Sequence, residues 1–386
     1  MRDILDETLK CIRCGACKAY CPTYIEGLSE VFSARGRVVL VRNLLEGRLK
    51  PSDKLIDDIY SCLLCDACKG QCPLNINISL IIHEARKILA GEDKRRRQLR
   101  WLIRILSRYP NLGFRISKLL GSTLYPYLYR KGLIPFRFTM PNAPLKGEYQ
   151  VLRAEMKKGR VAIFVGCSTN YLFPHIGLSL INLLFRLGYD VVLPKGEVCC
   201  GAPFMGLGLQ DDAVKLAKKN LSIFGELNVE AVLTLCPTCL LSIRYHYRDL
   251  VGDLIDNAMD ASVFIKERLQ ELELRVSDIK SITYHDPCHH IHSLGISKEP
   301  REILRYAGME IIENERGCCG FAGLFSISYR DISKALLQKR LECFRDPAIE
   351  AIVTACPGCI LQLSSGIRDK PVYHIVEMIE SLMVEK

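Results

Sequence analysis

The sequence predicts an α/β fold preceded by an all-α module, and three observations carry that prediction. Residues 158–386 read as an internal duplication of alternating strand and helix. Ten of the nineteen cysteines fall into two copies of one pattern, one copy in each half of the duplication. Two further cysteine runs sit among helical signals in residues 1–90. At 386 residues the chain has room for two or three domains, and an apolar fraction of 49% is ample for real cores. The segments implied are a helical module at 1–90, a basic connector at 91–157, and α/β halves at 158–275 and 276–386.

The helical module carries Cys11-Ile12-Arg13-Cys14-Gly15-Ala16-Cys17 and then Cys21-Pro22. The run recurs as Cys62-Leu63-Leu64-Cys65-Asp66-Ala67-Cys68 and then Cys72-Pro73. Val38 to Leu45 reads as helix, and Ile78 to Leu89 as an amphipathic one. Written twice, C-x2-C-x2-C-x3-C-P is the run of a two-cluster ferredoxin, whose fourth cysteine ligates the other cluster. The expected ligands of two [4Fe–4S] cubanes are thus Cys11, Cys14, Cys17 with Cys72, and Cys62, Cys65, Cys68 with Cys21. Zinc knuckles spread their ligands as two separated pairs, so four cysteines in eleven residues fit them poorly.

The connector holds all of the excess charge. Lys94 to Gly147 contains thirteen Lys/Arg and no Asp or Glu, while the rest of the chain balances forty basic residues against forty-three acidic ones. One basic arm is not a nucleic-acid-binding surface, and no base-stacking motif accompanies it. It reads instead as a dock for a partner or a membrane face. Leu99, Leu102, Ile103, Ile105 and Leu106 alternate with Arg100, Arg104 and Arg108, which predicts a helix. Pro110, Gly113, Gly121, Pro126, Gly132 and Pro135 are expected to break the stretch after that helix.

Each α/β half opens on a strand that ends at a cysteine: Val161 to Cys167, and Ser281 to Cys288. A helix and a short strand come next (Asp190 to Leu193; Met309 to Ile312), then a Cys-Cys-Gly turn. A third strand (Ala231 to Leu235; Ala351 to Ala355) runs into Cys-Pro-x-Cys. Phe264-Ile265 and His374-Ile375 are expected to close the halves in matching places. Strand alternating with helix predicts parallel sheets with their sites at the carboxyl ends of the strands, where all ten cysteines fall. The copies are Cys167, Cys199-Cys200-Gly201, Cys236-Pro237-Thr238-Cys239 and Cys288, Cys318-Cys319-Gly320, Cys356-Pro357-Gly358-Cys359. Zinc or a cubane takes four thiolates. Each copy offers five, two of them adjacent, which points to a cluster other than a plain cubane, or to a cubane beside a reactive thiol. A glycine after the pair lets the backbone turn tightly enough for both to face one site.

The chain resembles the cysteine-rich (CCG-domain) iron–sulfur proteins over nearly its whole length. That family includes heterodisulfide reductase catalytic subunits. It also includes iron–sulfur subunits of glycolate oxidase, lactate-oxidising complexes and anaerobic glycerol-3-phosphate dehydrogenase. The resemblance implies a helical two-cluster ferredoxin-like domain followed by two CCG domains. It also implies one or two non-cubane [4Fe–4S] clusters, on Cys167, Cys199, Cys200, Cys236, Cys239 and on Cys288, Cys318, Cys319, Cys356, Cys359. Members of the glycolate-oxidase type often lack some of these positions, and this chain lacks none, which favours a heterodisulfide-reductase-like protein.

The expected function is an iron–sulfur oxidoreductase subunit that passes electrons through two cubanes to CCG-type clusters. The alternative is the electron-transfer subunit beside a flavin-dependent glycolate, lactate or glycerol-3-phosphate dehydrogenase. A third reading, of another class, is a non-catalytic scaffold with zinc in a CCG site. No flavin or nicotinamide motif is present, since Gly206-Leu207-Gly208 lacks the third glycine and follows no strand directly. Electrons are then exchanged with a flavoprotein or membrane cytochrome subunit, and with a disulfide, quinone-linked or protein acceptor. His285, Asp286, His289, His290 and His292 crowd around Cys288. Imidazoles that titrate near neutral pH could protonate a leaving thiolate. Cys288, Cys318, Cys319, His285 and His289 are therefore the expected catalytic set, with the Cys167 copy as relay. The bland reading is that His285-Asp286 satisfies a turn and the other histidines are solvated. Cys343, outside both copies, reads as a buried structural cysteine. With no leader and no long apolar run, the chain is expected to be cytoplasmic, docked on the inner face of the membrane. There its thiols stay reduced.

Overall fold

Apolar residues at helical spacing build the first ninety residues. The computed structural model describes residues 2–132, 134, 136, 139–146, 150–155 and 157–384. Helices run over Arg2–Leu9, Pro22–Gly27, Ala34–Leu45, Asp53–Tyr60 and Ile78–Leu89. Ser33, Ser52 and Asn77 start three of them by accepting the N–H of Gly36, Leu55 and Leu80. Val38, Val41, Ile59, Ile81, Ile82 and Leu89 close one core among them.

The duplicated halves form two sheets. In the first, β1 (Gln150–Leu152), β2 (Gly159–Phe164), β3 (Tyr189–Leu193), β4 (Ala231–Thr234) and β5 (Ala258–Asp260) lie in the order β1-β3-β2-β4-β5. In the second, β6 (Ser281–His285), β7 (Glu310–Ile311), β8 (Ala351–Thr354) and β9 (Val372–His374) lie in the order β7-β6-β8-β9. All pairings are parallel except β1 with β3. The chain steps from β2 to one side and then returns to the other, and β6 does the same. Each half thus has a topological switch point, at the carboxyl ends of β2 and β4 in the first and of β6 and β8 in the second, where such sheets bind ligands.

The halves meet through helices in a reciprocal way. Pro174–Arg186, which follows β2, packs on Ile375–Glu380, which follows β9. Ala261–Lys266, after β5, packs on Glu299–Tyr306, after β6. One continuous core runs through this layer from Val161, Ile163 and Leu180 to Ile303, Val353 and Ile379.

Several details differ from the sequence reading. Pro110–Arg130 is one helix of 21 residues in spite of its glycines and prolines. Pro110 sits at the first helical position, where no N–H is needed, and an interior glycine costs only about 1 kcal/mol. Pro126 lies inside the last two turns, and Pro135 lies outside the described residues. Gln150–Leu152, inside the expected connector, adds an edge strand to the first sheet. Phe264-Ile265 belongs to a helix, so the residue that matches His374 is Asp260, the last of β5. Each of the two caps the next helix, Asp260 through Ser262 N and His374 through Val376 N. Cys343 is half-buried at the end of Arg330–Glu342 rather than buried.

Candidate metal centres

Two cavities gather the cysteines of the helical module. One is lined by Cys11, Cys14, Cys17 and Cys72, the other by Cys21, Cys62, Cys65 and Cys68. Each draws three thiols from one run and the fourth from the other, the grouping that the run spacing pairs. The runs wrap their cavities through left-handed backbone: Arg13 and Gly15 in the first, Leu64 and Asp66 in the second. Three of these four are not glycine, and such conformations persist only where surroundings impose them. Matching strain at matching positions, around four thiols each, fits a cubane. Arg37, fully buried, directs Nη2 to Thr23 Oγ1 and Ser61 Oγ at 3.0 and 2.7 Å and brings Nη1 within 4.0 Å of Cys21 Sγ. A buried cation thus stands beside the sulfur that the first run lends to the second cavity.

The CCG sets sit at the two switch points. Cys167 follows β2, Cys199-Cys200 follows β3, and Cys236 follows β4; Cys288, Cys318-Cys319 and Cys356 follow β6, β7 and β8. Gly201 and Gly320 adopt φ of +89° and +82°, and the turn brings the paired thiols inward. Pro237 and Pro357 take the first positions of the next helices. The thiols of each set hydrogen-bond one another. Hydrogen bonds from Cys199 and then Cys239 hold Cys200 well below the usual thiol range, and Cys318 and Cys359 do the same for Cys319. Cys319 and Cys359 sulfurs are 3.5 Å apart. All nineteen cysteines are free thiols.

The sets also adjoin one another. The Cys65 thiol is pushed well up, first by burial and then by the neighbouring Cys288 and Cys318 sulfurs. Cys236 and Cys356 lie within hydrogen-bonding reach. A hydrogen bond from Cys239 lowers Cys236, but Cys356 and burial outweigh it and push it up to about 12. The thiols thus follow one another in space from the second run, through the Cys288 set, to the Cys167 set.

The histidines near Cys288 do different things from those expected of them. His285 is fully buried and accepts Arg340 Nε on Nδ1 at 3.0 Å. Burial, and then the Arg340 charge, push it down to about 3, so it stays neutral and is no acid near pH 7. One ring nitrogen lies within 4.8 Å of the Cys319 and Cys359 sulfurs. With Nδ1 accepting, Nε2 carries the proton and has no hydrogen-bond partner among the described residues. His289 spends both nitrogens on packing. Nε2 donates to Leu64 O and Nδ1 takes the Thr238 hydroxyl, each at 2.9 Å. His290 is buried against Asp260 at 2.8 Å, so it is not solvated. Asp286 takes Arg301 in a fork, both contacts at 2.8 Å.

Residue spacing alone missed several supports. Buried Glu197 accepts the N–H of Val165 and Gly166 and pairs with Lys146 at 3.1 Å, which fixes the Cys167 turn. Asn220 donates to the carbonyls of Val198 and Cys199. Arg340 shares the buried face of its helix with Ser333 and Leu336, and nothing in its spacing marks it in sequence.

Thiol sets at two paired runs and at two switch points define an iron–sulfur protein with a dicluster module and two α/β cysteine domains. The family model described as "Cysteine-rich domain" matches residues 161–244 and 282–364, and "4Fe-4S dicluster domain" matches 7–76. A "Lactate utilization protein A" of Bacillus velezensis is 30% identical, over 58% of this chain and 99% of that protein. A "Probable glycolate oxidase iron-sulfur subunit" of Bacillus subtilis is 29% identical, over 94% of this chain and 89% of its own length. A "Glycolate oxidase iron-sulfur subunit" of Escherichia coli is 27% identical, over 97% of this chain and 93% of its own length. The chain belongs to the cysteine-rich (CCG-domain) iron–sulfur family.

Proposed function

We propose that this chain is an iron–sulfur oxidoreductase subunit that carries electrons between its dicluster module and a disulfide-active CCG centre. One observation carries the reading: the thiol sets neighbour one another in series, with Cys65 near enough to Cys288 and Cys318 to feel their charge, and Cys236 within hydrogen-bonding reach of Cys356. Eighteen of the nineteen cysteines belong to that series. Iron–sulfur clusters, when bound, supply one-electron transfer and a soft site for thiolate sulfur. The chain's own residues fix the geometry. Gly201 and Gly320 turn the paired thiols inward, burial and then Arg340 keep His285 neutral, and His289 locks both CCG turns to the second run.

The placement supports the Cys167 set as the reacting one and the Cys288 set as the relay, the reverse of what the histidines suggest in sequence. Cys288 adjoins Cys65, whereas Cys167 is the one exposed thiol of the ten. The test uses Cys200→Ser and Cys319→Ser, assayed for reduction of a small organic disulfide by a viologen donor that reaches any cluster. Cys200→Ser is expected to abolish turnover and Cys319→Ser to retain it. The opposite pair of results reverses the order, and no loss in either variant removes the disulfide reading. Filled CCG sites are expected to bring the iron to about sixteen per chain, against about eight plus zinc for a scaffold.

A second reading is favoured by the glycolate oxidase subunits, aligned over nearly their full length. The chain would then serve a flavoprotein that oxidises glycolate or lactate. In either reading it is a cytoplasmic chain that meets a flavoprotein or membrane cytochrome subunit at the inner face of the membrane, brought there by its basic arm.

A further inference from the structure

The helices Arg97–Arg108 and Pro110–Arg130 form a hairpin across the first CCG domain. Gly113 makes the corner tight, because a Cβ there would lie 2.7 Å from Leu106 Cδ2. The inner face is anchored. Leu99 and Ile103 pack against Phe204, Met205 and Leu209, in the segment after Cys199-Cys200. Phe114 is buried against Tyr171, four residues beyond Cys167, and Tyr171 Oη meets Asn111 at 2.9 Å.

The outer face is apolar and exposed. Trp101, Leu102 and Leu106 present it from the first helix, Leu112, Ile116 and Leu119 from the second. Trp101 is 65% exposed and Leu119 80%. The spacing puts Leu112, Ile116 and Leu119 on one stripe of their helix and Leu102 and Leu106 on one stripe of theirs, with Trp101 to one side of it. Exposed Arg97, Arg108, Arg115, Lys118 and Lys131 flank these stripes, and no acidic residue occurs from Lys94 to Gly147. Large apolar residues exposed together on two adjoining helices mark an interaction face. No helix among the described residues is long and apolar enough to cross a membrane. An apolar stripe with a rim of one sign complements a plane that is apolar beneath and uniformly negative at its surface.

We propose that this hairpin lies in the surface of an anionic lipid bilayer, with Trp101, Leu112, Ile116 and Leu119 in the acyl boundary and the flanking Arg and Lys among the headgroups. This deepens the membrane-side part of the functional reading above and is independent of its redox part. The hairpin also covers the helices after Cys167 and Cys200, so the Cys167 set lies on the bilayer side.

Trp101 is the only tryptophan, so its emission reports the contact directly. The full chain is mixed with vesicles of phosphatidylcholine alone, or with added phosphatidylglycerol, and followed by flotation and fluorescence. Co-flotation and a blue shift are expected with the anionic vesicles. Both should weaken as salt rises, since exposed charge attraction is screened within ~8 Å at physiological ionic strength. Leu112→Ser/Ile116→Ser/Leu119→Ser is expected to keep its iron and to lose more than about tenfold in vesicle affinity. Arg97→Glu/Arg108→Glu/Arg115→Glu should lose the preference for anionic lipid. An unshifted Trp101 spectrum, or unchanged flotation of the serine variant, overturns the proposal. Binding only to native membranes, and lost after protease treatment of them, assigns the face to a membrane protein and overturns it as well. Vesicle binding needs no turnover, so its failure leaves the redox reading standing.

Discussion

His289 joins three parts of the chain with one side chain: the turn after Cys288, the Cys-Pro-Thr-Cys turn of the other half, and the loop between Cys62 and Cys65. Arg100 is its counterpart on the connector. It is buried, donates to Leu207 O at 2.9 Å and Tyr60 Oη at 2.8 Å, and pairs with Asp93 at 2.7 Å. Arg96 is also buried and reaches Asp93 and Asp57 at 3.2 and 3.1 Å. Composition alone puts these two in the basic docking arm, but packing removes them from it. Breaking a buried pair leaves an uncompensated charge and costs about 3–5 kcal/mol. Arg100→Glu is therefore expected to lower the melting temperature sharply. Arg97→Glu, at an exposed position, should leave it within about 2 °C, as surface changes usually do. Differential scanning calorimetry of the pair decides it, and equal melting temperatures would contradict the assignment.

The Cys-Cys-Gly turns look equivalent in sequence, but their surroundings differ. Both glycines hold left-handed backbone, which costs an L-residue about 1–2 kcal/mol. A Cβ on Gly201 would meet Ala213 Cβ at an ordinary 3.5 Å. A Cβ on Gly320 would lie 2.5 Å from Ser333 O, within the helix Arg330–Glu342, which also carries Arg340. Gly320→Ala must therefore move that helix and the support of His285, and Gly201→Ala need not. The expected result is a larger loss of stability and of bound iron in Gly320→Ala, measured by thermal unfolding and iron analysis. Equal losses would show that backbone conformation alone sets the cost.

At the scale of the whole molecule, the dicluster module is held to the first CCG domain by buried polar contacts. His83 and His246 meet edge to face at 5.5 Å across that boundary. Burial, and then the neighbouring His289, push His246 down to about 4, and burial with His246 pushes His83 well below its usual range. In the unfolded chain both titrate near 6.5. Between about pH 6.5 and 4 the unfolded state binds more protons, so stability rises with pH in that window and falls as pH drops through it. Each unit by which a pKa is lowered corresponds to about 1.4 kcal/mol. The melting temperature is expected to fall between pH 7 and 5, and His246→Phe should flatten the slope. A His246→Phe profile parallel to wild type would place the pH dependence elsewhere.

The sequence by itself determined most of the sheet elements and where along them the thiols fall. Strand–helix alternation specified parallel sheets, and the cysteine spacing marked eighteen thiols and the grouping within each run, because ligand spacing and apolar periodicity are local properties of the chain. Tertiary structure decided what lies between the sets. That Cys65 neighbours Cys288 and Cys318, and that Cys236 comes within hydrogen-bonding reach of Cys356, depends on how three domains dock. The same docking buries His285 beside Arg340, turns His289 into a tie and pairs His290 with Asp260 from the other half. In sequence these were three histidines beside a cysteine, fit for proton transfer. The charge state of His285 is set by its burial and then by Arg340, 55 residues away along the chain, and the hydrogen-bond partners of His290 and His289 lie 30 and 225 residues away. For the same reason the connector's breakers failed to break: the helix Pro110–Arg130 is held by Phe114 against Tyr171, and packing outweighs propensity.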